Sequence, residues 1–292
     1  MTCIDLSLPV RSTAPGVTME QWRHADGARR ISRNTRSLPG DSRGRRVANY
    51  GRWLSGKRRI RPADLPDGVF LSNEFYRMSV HQGTHVDAPF HYGPMCQGQP
   101  ARKIGDLPLD TFWGPGVVLD VRDAADRLTA DGMRQAIKAA HHEPGPGEIA
   151  LLRSDADLRF GTPAYMRGYP GMTPEAIDVL LDLGVTVIGT DGWGFDRPVP
   201  VMIEEFYAGR GQQVLWPAHF HGRKREYFQI EGLANLRSIP RGPFQFAGFP
   251  IALQEAGGAW CRAVAITPEP AGRVPDSGPQ PADNRTEKDG TP

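Results

Sequence analysis

The sequence predicts an α/β protein. Between about Val69 and Ile266, short apolar or β-branched runs alternate with segments of helical period, and glycine, proline or a capping residue separates them. With 292 residues and 39% hydrophobic content, the chain can bury one sizeable core. A single domain over 1–267 with additions is expected rather than two small ones.

The elements follow in order. "EFYRMSV" (74–80) alternates as a strand preceding the densest polar motif of the chain. "GVVLDV" (116–121) and "EIALLR" (148–153) are apolar runs bounded by glycine, proline and charge, the pattern of buried strands. Between them Thr129 is placed to cap a helix through about Ala140, with Met133, Ile137 and Ala140 on one face. In "MTPEAIDVLLDLGVTVIGTD", Thr173 is an N-cap, Pro174 occupies the first helical position and Ile177, Leu180 and Leu181 form the stripe. Gly184 then ends the helix before a strand over Val185–Thr190. "WCRAVAI" (260–266) is a closing strand.

Two regions stand apart in composition. Thirteen of the 35 Lys and Arg residues lie between Arg23 and Arg61, opposed there only by Asp26 and Asp41, which marks 21–66 as an arginine-rich insertion. Residues 268–292 are rich in Pro, Gly, Asp and Glu with valine as their one large apolar side chain, so a disordered tail is expected. The net charge of +2 argues against a chain built as a whole for nucleic acid or a membrane surface. Cys3, Cys96 and Cys261 are odd in number and far apart, which supports neither a disulfide framework nor a thiolate zinc site. With no secretory leader pattern and no apolar run of about 18 residues, a cytoplasmic location is expected.

The stretch "HQGTHVDAPFH" (81–91) holds three of the eight histidines. Gly83 and Pro89 argue against a helix here, so the segment leaves a strand, turns at Gly83 and continues extended. In an extended piece His85 and Asp87 face the same way, and the turn can bring His81 round to them. Two imidazoles and one carboxylate make a ligand set with open positions, suited to Zn²⁺, Mn²⁺ or Fe²⁺. A single histidine in a loop is ordinarily just hydrogen-bonded to backbone; three with an aspartate in one turn are hard to read that way. Elsewhere, His141 and His142 suit an exposed helix end. His219 and His221 precede Glu231 in "FQIEGLANL", where a carboxylate between Ile230 and Leu233 is costly unless paired or metal-bound.

These residues resemble the metal-dependent cyclase and kynurenine formamidase superfamily, which includes isatin hydrolase. Its signature H-x-G-T-H-x-D-x-P-x-H is matched at every specified position by His81, Gly83, Thr84, His85, Asp87, Pro89 and His91. "IDLSLPV", "VIGTDGWGFDRP", "IEGLANL" and "RAVAI" look like further family segments, so the likeness spans most of the core but neither the arginine-rich stretch nor the tail. The resemblance implies a swivelling β/β/α fold in a homodimer or homotetramer with one or two zinc or manganese ions. It makes His81, His85 and Asp87 ligands, adds His219 and Glu231 at a second ion, and makes His91 the catalytic acid/base. His221, two residues from His219 and on the same side if this piece is a strand, leaves that assignment open.

A divalent ion polarises a carbonyl and lowers the pKa of bound water, and a nearby imidazole can relay protons. The leading expectation is therefore a metal-dependent hydrolase of the C–N bond of a small cyclic or formylated amide. A polyketide-type cyclase or dehydratase of secondary metabolism uses the same groups through an enolate. A catalytically inactive small-molecule binding protein is the reading of another class, against which the intact set of six residues argues. Asp191 and Asp196 in "GTDGWGFD" lie just past a strand's C-terminal end and are candidates for function, Asp191 with Trp193 and Phe195 for substrate contact, with turn formation and core packing as the alternatives. The arginine-rich stretch is either a solvated lid or a dock for an anionic substrate or an acidic carrier protein.

Overall fold

Nine strands hydrogen-bond into one curled sheet in the computed structural model, which describes residues 1–268. The expected tail falls outside the described residues, Pro268 excepted. The strands are β1 (Thr2–Asp5), β2 (His85–Asp87), β3 (Trp113–Asp120), β4 (Ile149–Arg153), β5 (Val187–Thr190), β6 (Phe228–Glu231), β7 (Phe244–Ala247), β8 (Gly258–Trp260) and β9 (Val264–Thr267). Their spatial order is β1-β9-β7-β3-β4-β5-β6-β2-β8. The central run β3-β4-β5-β6 is parallel, and every pairing outside it is antiparallel.

Parallel neighbours require crossovers, and the two helices anticipated above supply those from β3 to β4 and from β4 to β5. Thr129 caps Ala130–Ala140 by accepting from Gly132 N, and Thr173 caps Pro174–Asp182 by accepting from Ala176 N. Strand alternation then sorts the apolar side chains between two cores. On β4, Ala150 and Leu152 pack with Met133, Ile137, Ile177 and Leu180 of these helices, whereas Ile149 and Leu151 pack with Phe228, Ile230 and Phe246 on the other face. The same period operates at β2, where Val86 joins that second core and His85 and Asp87 point away from it.

Two expected strands differ from the reading above. "WCRAVAI" is broken: β8 pairs with β2, while β9 lies between β1 and β7, so the chain changes partners across Cys261–Ala263. The strand at "EFYRMSV" forms as Asn73–Arg77, but it pairs with Thr18–Trp22 rather than joining the main sheet. It belongs to a second compact unit, Val10–Ser79, distinct from Met1–Pro9 and the chain from Val80 onward.

That smaller unit contains the arginine-rich stretch, folded as the helices His24–Asn34 and Arg43–Leu54. Trp22 packs on Phe75 across the hairpin with ring centroids 4.8 Å apart, and the Arg30 guanidinium covers the Trp22 ring at 3.9 Å. Gly27 lets the first helix approach the Leu71 carbonyl, which would lie 2.5 Å from any Cβ there. No helix among the described residues is long and apolar enough to cross a membrane.

Candidate metal centre

The motif segment turns as its glycine demands. Gly83 adopts φ +74°, and β2 follows directly. Thr84 is structural: its hydroxyl donates to Gly232 O at 2.5 Å and accepts from Leu8 N at 2.8 Å, tying the turn to the segment after β1 and to the end of β6. Pro89 opens the short helix Pro89–Tyr92, which presents His91 beside the strand.

Register completes the arrangement. On one side of β2, Glu231 pairs with His85 and Gln229 with Asp87; on the other, Gly258 pairs with Asp87. A carboxylate from 144 residues downstream is thereby set against the motif. His85 Nε2 lies 3.5 Å from Asp87 Oδ1 and 3.5 Å from Glu231 Oε2. His219 Nε2 lies 3.9 Å from Asp87 Oδ2 and 3.7 Å from Glu231 Oε1. His81 Nδ1 is 2.7 Å from Asp87 Oδ1, and the His91 ring lies 3.9 Å from that of His81, with Nε2 3.8 Å from Asp87 Oδ2. All six expected residues thus converge on one point centred on the buried Asp87.

His219 and His221 are separated because their segment is the helix Pro217–His221, not a strand. Residues two apart on a helix diverge, and His221 turns to Asp178 at 2.8 Å. His219 is gripped instead by Asp196, whose carboxylate accepts from Ala218 N, His219 N and His219 Nδ1 at 2.7, 3.1 and 2.5 Å. Similarly, His85 Nδ1 donates to Gly83 O at 2.8 Å. Both imidazoles therefore turn Nε2 toward the carboxylates.

The three candidate substrate contacts fare differently. Trp193 is 38% exposed on the loop after β5. Phe195 is fully buried in the helix-side core, and its N–H donates to Glu231 Oε1 at 3.1 Å. The Asp191 carboxylate accepts from Ser154 N, Ser154 Oγ and Asp155 N at 2.5 to 3.0 Å, which ties it to the neighbouring loop. Burial pushes its carboxyl up to about 6 against those hydrogen bonds.

The electrostatics of the cluster are those of a set short of positive charge. Burial pushes Glu231 up to about 8, with the charge of Asp87 adding to the effect. Burial opposes ionisation of Asp87 too, but the imidazole of His85 and the hydrogen bond from His81 outweigh it and hold the carboxyl well below the usual range. Burial lowers His85, and it pushes His91 down to about 4, leaving a neutral imidazole near pH 7. His219 rises to about 9, because the Asp196 hydrogen bond and charge overcome its burial.

Two buried atoms of the cluster's own side chains, His85 Nε2 and Asp87 Oδ2, have no hydrogen-bond partner among the described residues. Leaving such groups unmatched costs about 1–3 kcal/mol each. His85, Asp87 and Glu231 each offer a donor atom within 4.8 Å of the others. Unmatched nitrogen and oxygen lone pairs, aimed together in a buried anionic pocket, fit a divalent cation.

The curled sheet and its histidine–carboxylate cluster define the class of protein, and sequence comparison gives the family. The chain belongs to the Cyclase family ("Putative cyclase"), whose family model matches residues 4–197. It is 30% identical over 217 residues to the isatin hydrolase of Roseibium aggregatum, covering 70% of this chain and 78% of that protein. It is likewise 30% identical over 191 residues to the kynurenine formamidase of Paracidovorax citrulli, covering 65% and 78% respectively. A crystal structure of an isatin hydrolase bound to the product analogue thioisatinate superposes with a TM-score of 0.56 at 28% identity, over 68% of this chain and 77% of that one. The chain is an enzyme, related to hydrolases of this family.

Proposed function

We propose that the chain is a metal-dependent hydrolase that cleaves the C–N bond of a small cyclic or formylated amide. His81, His85, Asp87, His219 and Glu231 would hold one or two divalent ions, zinc or manganese. The observation carrying this reading is the pair of unpartnered buried atoms, His85 Nε2 and Asp87 Oδ2, facing Glu231 and His219. When bound, such an ion supplies Lewis-acid polarisation of the carbonyl and a water of lowered pKa.

The protein side chains do the rest. His91, one third exposed at the edge of the cluster and neutral near pH 7, takes a proton from the attacking water and returns it to the leaving nitrogen. Gly83 O and Asp196 hold His85 and His219 in the tautomer that leaves Nε2 free. The substrate class rests on the names of the relatives, an isatin hydrolase and a kynurenine formamidase, one opening a cyclic amide and the other cleaving a formamide. Incubating the metal-loaded protein with isatin and with N-formylkynurenine tests the reading. Ring opening or formate release supports it, and inertness toward both alongside cyclisation of a β-dicarbonyl substrate replaces it with a cyclase.

Two positions that offer no ligand atom carry predictions. Asp196→Asn keeps the shape but weakens the grip on His219 Nδ1, so metal affinity is expected to fall about 10–100-fold, measured by competition with a chromogenic chelator. Gly258 leaves room for His81 above Asp87: a Cβ there would lie 2.6 Å from His81 Cε1 and 2.8 Å from Asp87 Oδ1. Gly258→Ala is expected to displace His81 and lower metal affinity about tenfold or more, at a stability cost of about 1–3 kcal/mol. Unchanged affinity with a normal melting curve would mean that His81 is no ligand.

A further inference from the structure

The unit Val10–Ser79 contributes none of the six residues of the cluster, yet it is strongly polarised. It carries fifteen Lys and Arg against six Asp and Glu, a net +9, while the rest of the chain stands at −7. Its helix Arg43–Leu54 is built inside out for a helix packed on its own protein. At 100° per residue Val47, Tyr50 and Leu54 form a ridge on one face, in line with Arg43. They are 74%, 48% and 59% exposed, whereas the helix's one buried residue is Asn49, whose amide donates to Asp41.

A second feature lies beside the ridge. Gly44, Ala48 and Gly51 line an exposed strip, and a Cβ added at either glycine would meet nothing within 4 Å. Neither glycine has positive φ. Only proline weakens a helix more than glycine, and nothing among the described residues requires either one. A ridge next to a flat strip is what a second helix needs for close approach. Tyr50 is also held in place, stacked on Trp53 at 6.2 Å with planes 11° apart, while the Arg59 guanidinium covers Trp53 at 4.2 Å. On the other flank stands Arg46; neither it nor Arg43 makes an ion pair among the described residues.

We propose that this face docks an acidic α-helix of a partner protein. The ridge of Val47, Tyr50 and Leu54 buries against the apolar side of that helix, the Gly44–Ala48–Gly51 strip receives its backbone, and Arg43 and Arg46 pair with its carboxylates. Nucleic acid has no use for an aliphatic ridge beside a glycine strip. A bilayer disfavours Arg43 in the middle of the apolar face.

The test uses the full chain and a fluorescent synthetic helix of about 20 residues, with a Leu/Ala stripe flanked by glutamates, followed by anisotropy. Saturable binding that weakens with salt is expected. Val47→Ser with Leu54→Ser should weaken it at least tenfold. So should Gly44→Leu with Gly51→Leu, while melting temperature holds or rises, because leucine favours the helix and only an external partner needs the strip. Equal binding by both variants, or no binding by the native chain, overturns the proposal. So does preference for a 20-nucleotide RNA or for vesicles containing phosphatidylglycerol over the peptide.

Discussion

Asp87→Ala is expected to yield a folded protein without metal and without measurable turnover. Asp87 is the hub of the cluster: His81, His85, His91 and His219 each place a ring nitrogen within 2.7 to 3.9 Å of its carboxylate. Its removal takes the ionised carboxylate from the centre; Glu231 keeps the burial that disfavours its charge but loses the neighbouring charge that adds to that effect, and it stands alone as the carboxylate facing His85 and His219. Metal-based stabilisation is worth several kcal/mol, so the loss in kcat/KM is about 10³-fold or more. Metal content, circular dichroism and turnover measured on one preparation check this. Asp87→Asn, which preserves volume, should lose metal as well, separating lost charge from a collapsed cavity.

His91→Ala is expected to behave in the opposite way toward the ion. The side chain sits at the edge of the cluster on the helix Pro89–Tyr92, one third exposed, and its nearest carboxylate oxygen, Asp87 Oδ2, is 3.8 Å away. As the group that moves the proton, its loss should reduce kcat by about 10²–10⁴-fold while metal content and KM stay near the native values. Loss of the ion in this variant would make His91 a ligand and would move the acid/base role elsewhere. The contrast between Asp87 and His91 separates holding the ion from transferring the proton.

The division between what was legible and what was not follows from locality. Within residues 81–91 the path was fixed by Gly83 and Pro89, and the two-residue strand period placed His85 with Asp87, so one half of the site was readable from a single segment. The two crossover helices were equally local, marked by Thr129 and Thr173 as caps. The remainder depended on register. Glu231 meets His85 only because β6 pairs antiparallel with β2, and Gly258 matters only because β8 lies on the other side. No spacing announces that Asp196 rather than Asp191 serves the cluster. Both follow β5, but one carboxylate faces the helix bearing His219 and the other the Ser154 loop. Both aspartates of "GTDGWGFD" are visible as candidates past the strand's end, with nothing local to separate their roles. The choice between His219 and His221 hinged on five residues forming a helix after Pro217, where a strand would have turned both to one side. "EFYRMSV" is legible as a strand but not as part of a separate hairpin, because its partner Thr18–Trp22 lies more than fifty residues earlier.

The central claim is that the histidine–carboxylate cluster is a metal site, and elemental analysis of the purified protein tests it most directly. Zinc, manganese and iron should be measured on the native chain beside the double variant His81→Ala, His85→Ala. The account predicts one or two divalent ions per native chain and none in the variant. No ion in the native chain, even after incubation with excess zinc and manganese, would contradict it and leave the unpartnered His85 Nε2 and Asp87 Oδ2 without a ligand.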